Sequence, residues 1–100
     1  MPHLLVFVYD ILTVMYYVYC IKSVKNGRCY TGYTSNLKQR FEDHNTSKSP
    51  YTRNNRPYKL VYYEAYSSKA DAQKRERALK LRSNAYMQLR RRIENSLNED

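Results

Sequence analysis

The stretch "YYVYCIKSVKNGRCYTG", Tyr16 to Gly32, decides the fold. Its first seven residues are rich in aromatic and β-branched side chains, as a strand requires. Asn26-Gly27 tolerates the positive φ of a tight hairpin, so Arg28 to Gly32 reads as the returning strand. An even-length loop, centred on Lys25–Asn26 or on Asn26–Gly27, gives the same parity of pairing. In either register Tyr19, Ile21, Tyr30 and Gly32 point to one face, and Val18, Cys20, Cys29 and Thr31 to the other. A four-residue loop sets Tyr19 level with Gly32 and within reach of Tyr30. Two tyrosines then share a face.

Working outward, Ser35 or Asn36 can cap a helix that runs to about His44. Its stripe at spacing i, i+3, i+4, i+7 is Leu37, Arg40, Phe41 and His44. Leu37 and Phe41 are the expected buried positions, with Arg40 and His44 along one edge of the contact. Asn45 to Lys59 carries turn formers, two prolines and no apolar period, and reads as a loop. Leu60 to Tyr66 is a third strand. Ser67 or Ser68 then caps a second helix, with Asp71 completing a capping-box-like start. This helix is expected to reach about Arg82, with Ala72, Glu76 and Leu79 on one stripe. A third helix follows Asn84, its inner face being Tyr86, Leu89, Arg90, Ile93 and Leu97. The expected class is α+β: a small three-stranded antiparallel sheet packed with about three helices. No internal repeat or long linker divides the chain. The domain is expected over residues 15–95, with an extra leader over 1–14 and a polar tail over 96–100.

The chain of 100 residues suits one modest core. Lys and Arg number 18 against 9 acids, a net charge of +9, which favours a polyanionic partner, nucleic acid being the commonest. Twelve tyrosines and no tryptophan supply rings with a polar handle, suited to stacking, hydrogen bonding or proton transfer. Two cysteines, Cys20 and Cys29, are too few for a disulfide framework and fit no zinc spacing; they read as reduced core thiols in a cytoplasmic protein. His3 and His44 do not suggest a metal pair. Leu4 to Ile21 is an apolar run near the threshold for a membrane span. Asp10 near its middle would cost roughly 2.5–3.5 kcal/mol on insertion. No Lys or Arg precedes the run, so it lacks the flank of a signal peptide. No stable membrane association is expected.

Five polar residues fall on inward-looking positions: Tyr19, Tyr30, Arg40, His44 and Glu76. Glu76 stands out because Lys69 to Arg92 holds nine basic residues and two acids. The set combines a carboxylate for a metal, a cation for a phosphate and groups able to handle a proton. With these residues the chain resembles the GIY-YIG nuclease superfamily, and within it the small single-domain bacterial branch. "YVYCI", Tyr17 to Ile21, stands where the first motif would be, and "YTG", Tyr30 to Gly32, where the second would be. Eleven positions separate Tyr19 from Tyr30. "NLKQRFEDH" supplies the family arginine at Arg40 and the histidine at His44. "DAQKRERALK" matches the Glu-bearing helix, with Glu76 as metal ligand and Lys80 as its basic companion. The resemblance covers about Met15 to Arg92. Tyr17 replaces the first motif's glycine and Thr31 the second motif's isoleucine. The family's late asparagine has no match at its spacing, since Asn84 follows Glu76 closely and Asn95 lies far out. Residues 1–14 have no counterpart, and Met15 stands where such proteins begin.

The resemblance implies a metal-dependent DNA endonuclease of a structure-selective or repair type, with RNA as a further substrate to test. It implies Mg²⁺, or Mn²⁺, on Glu76 and Arg40 on a non-bridging phosphate oxygen. Tyr19 would be the general base, its acidity raised by Arg40 and the metal. Tyr30 would position the water or the phosphate, and His44 would tune Tyr19 or accept the proton. Lys80, Arg53 and Arg56 would contact the nucleic-acid backbone. A partner protein or dimerisation would supply targeting. The competing reading is a catalytically silent nucleic-acid-binding module.

Overall fold

The computed structural model describes residues 15–46 and 48–99, so the expected leader over 1–14 lies outside the described residues. β1 (Tyr16–Ser23) and β2 (Cys29–Thr34) form the hairpin. Helix α1 (Leu37–Asn45), a 3-10 turn (Arg53–Asn55) and β3 (Tyr58–Tyr66) follow. Helices α2 (Lys69–Lys80), α3 (Asn84–Arg92) and α4 (Glu94–Asn98) complete the order. The sheet is antiparallel in the order β2-β1-β3. This is the expected α+β class.

The hairpin closes through a four-residue loop, with Ser23 N–H donating to Arg28 O at 2.8 Å and Gly27 N–H to Ser23 O at 2.9 Å. Gly27 takes φ +76°, a conformation that glycine adopts without strain. The loop sets the register that pairs Tyr19 with Gly32 and Ile21 with Tyr30. β1 is the central strand and buries both faces. On one face Val18 and Cys20 meet Ala72, Leu79, Leu89, Ile93 and Leu97 from the last three helices. On the other, Tyr19, Ile21 and Tyr58 pack with Leu37 and Phe41 of α1. Both cysteines are free thiols on the helix-covered face; Cys20 is buried and Cys29 half-buried.

β3 starts two residues earlier than the sequence pattern suggests. Tyr58 joins it because Asn45, the last residue of α1, holds both its backbone groups, accepting from Tyr58 N–H at 2.6 Å and donating to Tyr58 O at 3.1 Å. A bulge follows, since Cys20 pairs with Tyr62 and Ile21 with Leu60. The extra residue, Val61, resets the alternation. Leu60 then faces α1 while Val61 and Tyr62 face the other helices.

Asn36 caps α1 by accepting from Gln39 N–H at 3.2 Å, and Ser68 caps α2 by accepting from Asp71 N–H at 3.3 Å. Helix α2 ends at Lys80 rather than near Arg82, because Arg82 takes the left-handed φ of +53° and turns the chain. The expected third helix divides at Ile93, whose ψ of 24° bends the chain while the Ile93-to-Leu89 and Leu97-to-Ile93 backbone bonds persist. Ile93 and Leu97 therefore both reach the core. The expected polar tail over 96–100 consequently contains a buried residue, Leu97, whose carbonyl also accepts from Lys22 Nζ. Arg90, expected inward, is exposed, and its guanidinium lies against Tyr86.

Candidate active site

The site begins with a histidine inside the protein. His44 is 0% exposed, and it is the only fully buried residue of α1. Leu37 and Phe41, expected to carry that burial, are only half-buried. An imidazole can occupy such a position because both its nitrogens find partners. Nε2 lies 2.7 Å from Tyr19 Oη, and Nδ1 lies 2.7 Å from Thr52 Oγ1. Three tyrosine rings enclose it, with centroid distances of 5.7 Å to Tyr19, 5.1 Å to Tyr30 and 6.2 Å to Tyr58. Thr52 is itself buried.

Thr52 was not legible in the sequence. It lies in the aperiodic loop, among other hydroxyl residues that look alike by composition. The signal available was indirect: a buried histidine needs a second partner to fix its tautomer. The structure supplies the reason that this loop is held in place. Ser23 Oγ donates to Asn55 O at 2.5 Å, Asn26 Nδ2 to Asn55 Oδ1 at 2.8 Å, and Val24 N–H to Pro57 O at 2.9 Å. The hairpin loop thus anchors the 3-10 turn that follows Thr52.

Tyr19, at the centre of β1, is almost fully buried, and burial pushes its pKa up to about 12. Arg40 acts against that, through its charge and by hydrogen bonding, while Tyr30 and Glu76 add to the rise. The expectation that neighbouring cations make Tyr19 more acidic is therefore corrected for the protein alone: desolvation outweighs Arg40. His44 moves the other way. Burial, with Arg40 adding, lowers its pKa from 6.5 to about 4 against a smaller opposing effect of Asp43. At neutral pH the pair is a neutral phenol beside a neutral imidazole.

Gly32 is the floor of this arrangement. A side chain there would meet the Tyr19 ring directly, its Cβ coming to 2.9 Å from Cε1 and closer still to Cζ and Oη. Helix α2 contributes the outer rim. Glu76 keeps one fifth of its side chain exposed and pairs with Lys80 Nζ at 3.4 Å. The same Lys80 ammonium lies 5.8 Å from the centroid of the Tyr30 ring. Tyr19, Tyr30, Arg40, His44, Glu76 and Lys80 thus meet at one site. Arg53 and Arg56 are exposed on the turn after Thr52, where Arg56 Nη1 donates to Arg53 O at 2.8 Å.

Among the described residues no group of three His, Cys, Asp or Glu side chains could cage a metal ion. A lone, partly exposed carboxylate is the donor set that Mg²⁺ accepts when waters and a substrate phosphate complete its octahedron. The residues present fit that group.

A small sheet with a tyrosine pair on one face, a buried histidine beneath and a helix-borne glutamate at the rim defines a domain of the GIY-YIG type. The family model described as the GIY-YIG catalytic domain matches residues 15–93, and the chain belongs to that family, a family of nucleases. Similar proteins include a UPF0213 protein of Staphylococcus haemolyticus, 46% identical over 66 residues, covering 65% of this chain and 79% of the relative. A UPF0213 protein of Clostridium perfringens is 44% identical over 77 residues, covering 75% and 82%. The solution NMR structure of a UPF0213 protein from Bacillus halodurans shares 34% identity over 75% of this chain and 80% of its own, with a TM-score of 0.47. Among the described residues no helix is long and apolar enough to cross a membrane.

Proposed function

We propose that the protein is a metal-dependent endonuclease that hydrolyses phosphodiester bonds in DNA, as a structure-selective or repair-type enzyme. The observation that carries this reading is the buried relay Tyr19–His44–Thr52, with the charges of Arg40 and Glu76 acting on the same phenol. Such a relay does not need a free phenolate. As Tyr19 oxygen takes a proton from the attacking water, its own proton passes to His44 Nε2, while Nδ1–H donates to Thr52. Tyr30 orients the water or the phosphate. Arg40 holds a non-bridging oxygen, where charge builds in the transition state. Glu76 would hold Mg²⁺ or Mn²⁺, which supplies charge stabilisation at the scissile phosphate and the leaving 3′ oxygen. Lys80, Arg53 and Arg56 add backbone contacts and salt-dependent affinity.

The test is Glu76→Ala, assayed on duplex, flap, branched and single-stranded DNA, with RNA included, at fixed Mg²⁺ and salt. Cleavage is expected to be lost while affinity holds or tightens, because the change removes one acid from a net +9 protein. A structural glutamate would not separate the two quantities in this way. Cleavage by Glu76→Ala at the wild-type rate would overturn the mechanism, and a silent binding module would then be the better reading.

A further inference from the structure

Beyond the rim of the candidate site, a second set of cations surrounds a cleft of about 460 Å³ lined by Gly27, Arg28, Cys29, Arg82, Tyr86 and Arg90. Tyr86 is buried and serves as its wall. The Arg82 guanidinium stands 4.8 Å from the Tyr86 ring centroid and donates to Cys29 O at 3.1 Å. Arg90 stands 5.7 Å from the same ring and donates to Tyr86 Oη at 3.2 Å. Arg82 holds its position from a left-handed backbone conformation that glycine usually takes at a helix end.

No carboxylate lines this cleft. The ion pairs among the described residues, Arg75–Glu64 and Lys80–Glu76, involve none of the three arginines. Like charges fixed around one ring repel unless an anion joins them. Each guanidinium has five N–H donors, most of them left over after the contacts above. The cleft is joined to the site through the chain, from the other side of β2. Cys29 and Tyr30 are successive residues of β2 facing opposite ways, and Arg82 follows Lys80 by two residues.

We propose that Arg28, Arg82 and Arg90 form a second phosphate subsite, which takes a backbone phosphate of the same nucleic acid that enters the Tyr19–Glu76 site. The inference rests on the nucleic-acid reading above. The subsite positions the substrate and takes no part in the chemistry.

The test uses the full chain carrying Glu76→Ala, so that binding of a fluorescent DNA duplex is read without cleavage across a salt series. Two variants are added to it: Arg82→Gly, which glycine's tolerance of φ +53° keeps folded, and Arg28→Gln with Arg90→Gln. Each is expected to weaken binding roughly tenfold at low salt and to lower the log–log salt slope by about one, the value for one lost phosphate contact. In chains retaining Glu76, the single-turnover rate at saturating DNA stays unchanged while KM rises. Affinity and slope equal to those of the Glu76→Ala parent overturn the proposal. So does a loss of affinity with an unchanged slope. Inorganic phosphate that raises the melting temperature through these arginines, with no change in DNA slope, would mark a site for the free anion and overturn it too. Failure of the wild type to cleave any DNA would sink the nuclease reading and leave this binding measurement standing.

Discussion

Gly32→Ala is the smallest change that should dismantle the site. Backbone conformation is not the reason, since Gly32 does not take a positive φ. The reason is register: Gly32 pairs with Tyr19, and the phenol lies across the space that a Cβ would need. Carbon contacts relax at about 3.5–4.0 Å, whereas the added methyl would meet Cε1 at 2.9 Å and the atoms beyond it closer. The ring must shift by about 1 Å or more to relieve that overlap. Tyr19 is 1% exposed and packed against Ile21, Tyr58 and Tyr30, so the shift has no free direction. Overpacking of this kind costs roughly 1–3 kcal/mol. Breaking the 2.7 Å bond to His44 adds roughly 1–3 kcal/mol, because a buried ring nitrogen loses its partner. A total near 4 kcal/mol corresponds to a fall in Tm of roughly 16–32 °C for a domain of this size. Thermal melting by circular dichroism reads the stability, and cleavage measured well below the variant's own Tm reads the chemistry. Gly27→Ala is the control. It places an alanine at φ +76° with nothing nearer than 3.9 Å, so it should cost about 1–2 kcal/mol in backbone strain and leave cleavage by the folded fraction intact. If Gly32→Ala melts and cleaves like the wild type, the geometry assigned to Tyr19 is wrong.

The remaining predictions concern His44. Its folded pKa of about 4 lies below the unfolded 6.5, so the unfolded chain binds the extra proton between those values. Stability should be constant above about pH 6.5 and fall as pH drops toward 4, by at most about 3 kcal/mol. Denaturant midpoints for wild type and His44→Gln across pH 4–7 check this, and a pH dependence that survives in the variant would refute it. Thr52→Val keeps the shape but removes the partner of Nδ1. It should cost about 1–3 kcal/mol in stability and lower kcat with little change in KM, because Thr52 orients the relay without touching substrate. An unchanged kcat would show that the tautomer is fixed elsewhere.

The hairpin was legible because each of its signals acts locally. Asn26-Gly27 provides the turn, and the parity of the strands puts Tyr19 and Tyr30 on one face whichever of the two centres is chosen. The helix caps were equally local and legible to within one residue: of Ser35 or Asn36 and of Ser67 or Ser68, it is the second in each pair that accepts an N–H three residues on. Glu76 stood out by contrast with the cations around it. The features not legible in the sequence depend on distant partners or on a backbone conformation that local propensity disfavours. Tyr58 belongs to a strand because Asn45 supplies its hydrogen bonds, and the Val61 bulge exists because two cores on opposite faces must both be filled. The end of α2 at Lys80 rests on an arginine in a left-handed conformation, which no propensity scale favours.

His44 was identified by motif, but its depth was not. Amphipathic spacing assigns burial to Leu37 and Phe41, since hydropathy treats a histidine as polar. Whether a polar side chain can be buried depends on its partners, and these come from β1 and from the loop before the 3-10 turn. The same burial drives the two pKa values apart, the phenol upward and the imidazole downward, so that neither group is charged at neutral pH. Two neutral groups joined by a 2.7 Å hydrogen bond can exchange a proton only as another arrives or leaves. In the mechanism proposed above, coupling the transfer to attack by water would make a weakly acidic tyrosine usable as a base, and that coupling would depend on the close fit of Gly32, Thr52 and the hairpin that steadies them.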